Sequence, residues 1–267
     1  MQNMKANYSS AESALFRSRL FSHGDNQLHR FHDELKQRRQ LFENELQQSP
    51  ETNDNWTLLV NEGDTKLYRK AAGKTGKPGD SLKAIHTVKN ITASEICHCF
   101  WQIENRKEWD RTVENIMVLE VLNETSVIVK QTHHRVPPVA QRDCVFLSSI
   151  IKNSKVNSPE KSGRKLLDAW MVSNFSVDHN EEISSSGCVR AFIDVALICR
   201  TYVTPPMGGG ATTRDCVTSE ITYFADINPG GWVPSVLFKI LCERECLNFI
   251  RSFPNYVMTK RNDVNLI

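Results

Sequence analysis

The stretch Ile221–Leu241, ITYFADINPGGWVPSVLFKIL, joins a strand pattern directly to a helix pattern. Side chains alternate between the two faces of a strand, and this alternation puts Tyr223 among the apolar residues of its strand. The sequence Pro229-Gly230-Gly231 is typical of a sharp turn. Apolar residues then recur at helical spacing from Val233 to Met258. We therefore expect the chain to leave a sheet abruptly and to enter a long amphipathic helix.

The apolar stripe of this final helix includes Val236 and Ile240 near its start and Val257 near its end. Pro254 lies inside the stripe and predicts a kink or an end there, because proline cannot donate the helical hydrogen bond.

Similar patterns organise the rest of the chain. Residues 1–26 are polar and Ser-rich and are expected to be flexible, and residues 27–48 have the apolar spacing of a helix. Two strands around Gly63 and a third at residues 82–88 precede a capping-box sequence, Thr92 to Glu95, which predicts a helix over 93–105. Six further strands are predicted, with connections short enough for an antiparallel meander, at residues 112–122, 125–136, 143–151, 166–177, 188–203 and 214–227.

Composition excludes several classes of protein. The chain has 267 residues, 40% of them hydrophobic, and a net charge of +2, so it can bury a large core but lacks the basic character of a nucleic-acid-binding protein. Eight cysteines without a secretory signal or an apolar run of about 18 residues indicate a cytoplasmic protein with reduced thiols.

Three polar residues share strand faces with apolar neighbours: Gln131, Asn174 and Tyr223. A buried polar group without a partner costs about 1–3 kcal/mol, so these side chains must meet one another, water, a ligand, or loop backbone inside an ordinary core. Alternation identifies the face and leaves these alternatives open. Arg106 and Asp110 are four residues apart, close enough to form an ion pair if the helix persists that far. That pair is either an exposed surface pair or, if it faces inward, a means of orienting a polar head group.

Four parts of the sequence resemble START lipid-transfer domains and occur in the family's order: NRKEWD, KQTHHRV followed by QRD, WMVSNFSVDH and ITYFADINPGGWVPS. The similarity extends from about Trp56 to Lys260 and is greatest to family members that carry ceramide. It implies an α+β helix-grip fold, in which a curved antiparallel β-sheet is closed by a long C-terminal helix around a hydrophobic cavity. The corresponding START-like domain spans residues 27–262, with an N-terminal helix at 27–48 and a core at 54–260.

The resemblance also implies which residues contact lipid: Arg106, Asp110, Gln131, Asn174 and Tyr223. Asp110 departs from the glutamate usual in the most similar members, so its contact with the head group is expected to involve water. The resemblance implies that Trp232 docks on the membrane. Pro137 occupies the position where those members have a second docking tryptophan. Met207, near the tip of a glycine-rich loop, is a candidate for a flap that docks together with Trp232. Without the resemblance, Trp232 would be interpreted as a core residue.

Other chemistry finds little support in the sequence. The Cys97-His98-Cys99 and Cys242-x3-Cys246 patterns fall in predicted helices and complete no metal site, and no cofactor motif occurs. His133 and His134 are expected at a solvated strand edge rather than in a catalytic role.

The resemblance therefore implies a monomeric lipid carrier that binds ceramide or a related lipid and contacts membranes transiently, peripheral to the endoplasmic reticulum and Golgi. The alternatives are a carrier of phosphatidylcholine or sterol, an enzyme on the same fold with Asp110 or a histidine as general base, and a lipid sensor.

Overall fold

The structure is a computed structural model that describes residues 28–47, 56–70, 80–152, 164–179, 187–204 and 213–261. The helices are α1 (His32–Gln47), α2 (Ala93–Trp101), α3 (Arg106–Trp109) and α4 (Ser235–Lys260), and short 3-10 turns cover Leu28–Phe31, Ile103–Asn105 and Arg214–Cys216. The strands are β1 (Trp56–Glu62), β2 (Thr65–Lys70), β3 (Asp80–Lys89), β4 (Val113–Asn123), β5 (Ser126–His133), β6 (Arg142–Lys152), β7 (Lys165–Ser176), β8 (Val189–Arg190), β9 (Phe192–Val203) and β10 (Val217–Asn228).

The strands form one sheet in the order β1-β2-β3-β10-β9-β7-β6-β5-β4, and every neighbouring pair on this path is antiparallel. The short β8 pairs with β6 in parallel. The expected antiparallel meander is therefore present from β4 to β10, with β8 as the exception. The first three strands join this meander through the pairing of β3 with β10. Tyr223 lies at this central position, opposite Ala84 on β3 and Leu197 on β9.

A predicted helix ends earlier than expected, and a predicted strand is divided. The capping box is confirmed, since the Thr92 hydroxyl accepts from the Glu95 N–H at 3.2 Å and the Glu95 carboxylate accepts from the Thr92 N–H at 2.9 Å. The helix nevertheless ends at Trp101, because Gln102 adopts an extended backbone conformation (φ −65°, ψ 103°). The strand predicted at 188–203 is divided at Ala191 into β8 and β9.

The inner face of the sheet is covered by α2 and α4. Its core contains Ile96 and Phe100 of α2 together with Ile250, Phe253 and Val257 of α4, packed against β3, β9 and β10. Burying side chains of this size contributes about 1.5–3 kcal/mol each. This packing sets the distance between α4 and the sheet.

The outer face of the sheet carries α1 over β4 to β7. Phe31 and Leu35 pack against a cluster that includes Leu147 and Phe175. The Arg38 guanidinium lies 4.2 Å from the centre of the Phe175 ring. The helix predicted at 27–48 thus covers the outer face of the sheet, whereas α4 covers the inner face.

The turn between β10 and α4 depends on glycine. Gly230 and Gly231 have φ of +61° and +52°, and a Cβ atom on Gly230 would lie 2.1 Å from the Arg190 carbonyl oxygen. The Arg142 guanidinium donates to the carbonyl oxygens of Pro229, Gly230 and Trp232 at 3.2–3.3 Å. The turn is therefore fixed against β8 and the start of β6.

The first turns of α4 differ from the predicted amphipathic pattern. Val236 is 69% exposed and Ile240 is 56% exposed, so burial of the stripe begins only further along the helix. Pro254 does not end the helix, which continues to Lys260 with Pro254 buried inside it. Among the helices that the structure describes, none is both long and apolar enough to cross a bilayer.

We expect Gly230→Ala to lower the free energy of unfolding by about 2 kcal/mol or more, since it adds a steric contact to a strained backbone conformation. Gly63→Ala is the matched control: Gly63 also has a positive φ, of +54°, but nothing lies within 4 Å of its Cβ position. That variant should lose only about 1 kcal/mol. Urea denaturation measures both values, and equal losses would show that the close approach to Arg190 contributes nothing.

Candidate ligand-binding site

The strands place the three polar residues found by alternation on the inner face. Gln131 of β5 lies opposite Cys144 of β6, and Asn174 of β7 lies opposite Ser148 of β6. Gln131 and Asn174 are buried, and Tyr223 is partly buried against the main core. The interior between the sheet and the helices therefore contains polar groups from several strands.

Several of these groups have no hydrogen-bond partner among the described residues. They are Oε1 of Gln131, Oδ1 of Asn174 and Oγ of Ser148. Ser148 is fully buried and was missed by sequence reasoning, although it shares the inward face of β6 with Phe146 and Ile150. Its position beside Asn174 adds a hydroxyl to the amide and completes a polar pair on β6 and β7.

Arg106 is a buried cation on α3. Its guanidinium lies 4.6 Å from the centre of the Phe100 ring and 4.7 Å from that of Trp109, and it donates to the Phe100 carbonyl oxygen at 3.2 Å. Burial lowers the pKa of Arg106, while Asp110 and Tyr223 act in the opposite direction. The Nε–H group has no partner among the described residues, so it is able to donate to a ligand.

The expected ion pair between Arg106 and Asp110 does not form as a direct contact within the described residues. Helix α3 ends at Trp109, and Asp110 adopts an extended conformation (φ −97°, ψ 92°). The Asp110 carboxylate instead accepts from the Thr112 N–H at 3.1 Å and from the Thr112 hydroxyl at 2.7 Å. Asp110 thus influences Arg106 only through its charge.

His133 belongs to the site, which corrects the expectation of a solvated edge. Its Nδ1 lies 3.2 Å from the Thr112 hydroxyl oxygen, and its Nε2 lies 3.1 Å from Nε2 of Gln131. Burial lowers the pKa of His133, Asp110 raises it and Arg106 lowers it further, and the net direction is downward. The sequence signal was present, because residues 127, 129, 131 and 133 alternate onto one face.

Tyr223 faces α4. The centre of its ring lies 4.7 Å from that of Phe249, and burial raises the pKa of its hydroxyl well above the ordinary value. Tyr223 therefore stays protonated at neutral pH and remains a potential donor.

The described contacts and charge interactions divide the site into two groups. Arg106, Asp110, His133, Gln131 and Tyr223 are linked to one another directly or through their charges. Asn174 and Ser148 form a second group. On β6, Gln131 lies opposite Cys144, whereas Asn174 lies opposite Ser148, so the two groups are four residues apart along this strand. A ligand with one polar atom cannot satisfy both groups.

The residues assigned to membrane docking lie outside this interior. Trp232 is 73% exposed, and Pro137 is exposed on the connection between β5 and β6. Phe192, which is half exposed, pairs with Asn228 at the same end of the sheet. Met207 lies outside the described residues.

Comparison with known proteins gives a consistent result. The START domain profile matches residues 37–258. The chain is 40% identical over 235 residues to the ceramide transfer protein of Mus musculus, covering 87% of this chain and 36% of that protein. It is 42% identical over 209 residues to the ceramide transfer protein of Xenopus laevis, covering 78% of this chain and 33% of that protein. The chain thus spans about a third of the length of these relatives.

Among solved structures, human StAR-related lipid transfer protein 5 has the same fold, with a TM-score of 0.61 at 14% identity, covering 87% of this chain and 100% of that one. The sequence profile covers most of the chain, and the sheet closed by a C-terminal helix is the fold of these structural neighbours. This chain belongs to the START domain family.

Proposed function

We propose that this chain is a non-enzymatic lipid carrier, which extracts one ceramide-like sphingolipid from a membrane, encloses it between the sheet and α4, and releases it at another membrane. The observation that carries this proposal is the set of buried, unpartnered polar atoms on a largely apolar inner face. Apolar interiors with a few convergent polar groups are typical of small-molecule sites.

The balance of donors and acceptors favours a ceramide-like head group. Gln131 and Asn174 each present an unpaired amide oxygen, which requires a hydrogen-bond donor, whereas Nε–H of Arg106 requires an acceptor. Ceramide offers two hydroxyls, an amide N–H and a carbonyl oxygen. The phosphocholine head group has no N–H or O–H donor, and a sterol has one hydroxyl for two separated polar groups. The names of the related ceramide transfer proteins support the same choice.

The contacts of Asp110 and His133 support a carrier rather than an enzyme. A general base needs a free lone pair directed at its substrate. Nε2 of His133 faces the Gln131 amide instead, and Oδ1 of Asp110 accepts from both the N–H and the hydroxyl of Thr112. The lone pair of His133 is therefore occupied, and the Asp110 side chain is held in one orientation.

We further propose a docking surface, defined by Trp232, Val236, Ile240, Phe192 and Pro137, that contacts the bilayer during transfer. Trp232, Val236 and Ile240 follow one another at intervals of four residues and are all exposed. A tryptophan beside aliphatic side chains suits the interface between head groups and acyl chains. Endoplasmic reticulum and Golgi membranes, at their cytoplasmic faces, are the proposed donor and acceptor.

Native mass spectrometry of the purified protein tests the carrier function. We expect one intact sphingolipid per chain and transfer of ceramide between vesicles that exceeds transfer of phosphatidylcholine or sterol. Progressive conversion of added ceramide would indicate an enzyme. Tight binding without transfer would indicate a lipid sensor.

We expect Gln131→Ala and Asn174→Ala each to weaken ceramide binding about 5–10-fold, the effect of one lost hydrogen bond of about 1–1.5 kcal/mol. Ser148→Ala should have a similar or smaller effect. The free energy of unfolding should change little for Asn174→Ala and Ser148→Ala, because the Oδ1 and Oγ atoms that they remove have no partner among the described residues. Gln131→Ala also removes the contact between Nε2 and His133, so a somewhat larger loss of stability is expected for that variant. Equilibrium titration measures the affinities, and Gln40→Ala on the exposed side of α1 is the control. Unchanged affinity in both the Gln131 and Asn174 variants would refute the assigned site.

Trp232→Ala should reduce the rate of transfer between vesicles several-fold more than it reduces equilibrium affinity for ceramide, because the side chain is 73% exposed. Leu167→Ala is the control: Leu167 is 47% exposed near the opposite end of the sheet, where β7 begins. Equal losses of transfer and affinity in the Trp232 variant would mean that Trp232 contacts the bound lipid instead.

A further inference from the structure

We propose that His133 is a positioning residue for lipid binding: it orients the Gln131 amide so that Oε1, and not Nε2, faces the ligand. This inference rests on the proposed function and assigns a role to a residue that does not itself need to touch the lipid. It is carried by a chain of hydrogen bonds from Asp110 through Thr112 and His133 to Gln131.

The direction of each hydrogen bond in this chain follows from its first member. An ionised carboxylate only accepts, so the Thr112 hydroxyl donates its proton to Asp110 across 2.7 Å. The hydroxyl oxygen of Thr112 then accepts a hydrogen bond from Nδ1–H of His133 at 3.2 Å. A neutral imidazole with its proton on Nδ1 has a lone pair on Nε2, which accepts from the Gln131 amide N–H at 3.1 Å.

The orientation of the Gln131 amide is therefore determined. If the amide rotated by half a turn, Oε1 would face the lone pair of His133, and two acceptors would oppose each other. With the amide as it stands, Oε1 is buried and has no partner among the described residues. Gln131 thus offers the ligand an acceptor, which pairs with a hydroxyl or an amide N–H.

The charged and titratable groups around His133 make the arrangement sensitive to pH. Asp110 and Arg106 face it from the end of α3 and from α3 itself, and His134 adjoins it along the chain. Protonation would convert Nε2 into a donor and reverse the preferred orientation of Gln131. Burial lowers the pKa of His133, so affinity should be constant above the ordinary histidine range and fall as the pH drops through that lowered pKa.

The test uses a fluorescent ceramide titrated into five proteins: wild type, His133→Phe, His133→Gln, Gln131→Ala and the double variant of His133→Phe with Gln131→Ala. We expect His133→Phe to weaken binding by about as much as Gln131→Ala, about 5–10-fold, with no further loss in the double variant. His133→Gln, whose amide oxygen can accept from Gln131, should recover most of the affinity. Both His133 variants should lose the acidic fall in affinity that wild type shows.

The possible results separate the two proposals. If wild type binds no ceramide, the proposed function fails. If wild type binds ceramide but His133→Phe keeps full affinity, or if the His133 and Gln131 effects multiply in the double variant, the positioning role is overturned while the carrier function stands. If His133→Phe does not fold, Thr112→Val breaks the chain one link earlier. It should give a loss that does not add to that of Gln131→Ala, and additive losses would again overturn the role.

Discussion

The approach of Gly230 to the Arg190 carbonyl oxygen leaves no room for a side chain, and the direction in which α4 leaves the sheet depends on this approach. Because Arg142 also binds three carbonyl oxygens of the same segment, the end of β10 is fixed to β6 and β8. Helix α4 therefore begins at a defined point and crosses the inner face, where Ile250, Phe253 and Val257 meet the sheet. This constraint explains why the strand pattern in Ile221–Leu241 passes through Pro229-Gly230-Gly231 directly into a helix pattern.

The interior combines two demands that oppose each other. An apolar inner face stabilises the fold, whereas unpartnered groups such as those of Gln131, Asn174 and Ser148 reduce stability until a ligand pairs with them. A lipid that satisfies them should therefore stabilise the folded chain as well as fill its interior. The polar residues are placed on strands, whose backbone pairing keeps their positions when the ligand is absent.

Much of this architecture could be predicted from the sequence. Alternation placed Gln131, Asn174 and Tyr223 on the inner face, because side-chain direction in a strand is a local property. The absence of a direct Arg106–Asp110 contact among the described residues could not be predicted in this way, since it depends on where a four-residue helix ends. His133 was assigned to solvent because it closes a strand, but in the structure it is partly buried and contacts Thr112, which is 21 residues away in sequence. The exposure of Val236 likewise depends on which part of α4 the sheet covers.

The two outermost strands of the sheet have irregular registers. The pairing of β4 with β5 shifts at three places, and that of β1 with β2 shifts near Leu58. Such bulges interrupt the even row of backbone donors and acceptors that a strand from another molecule would need for pairing. Among the described strands, β1 and β4 are the two ends of the sheet, and with regular registers they would be templates for pairing with another chain. Edges of this kind oppose edge-to-edge aggregation, which for the proposed carrier would keep single molecules available for transfer.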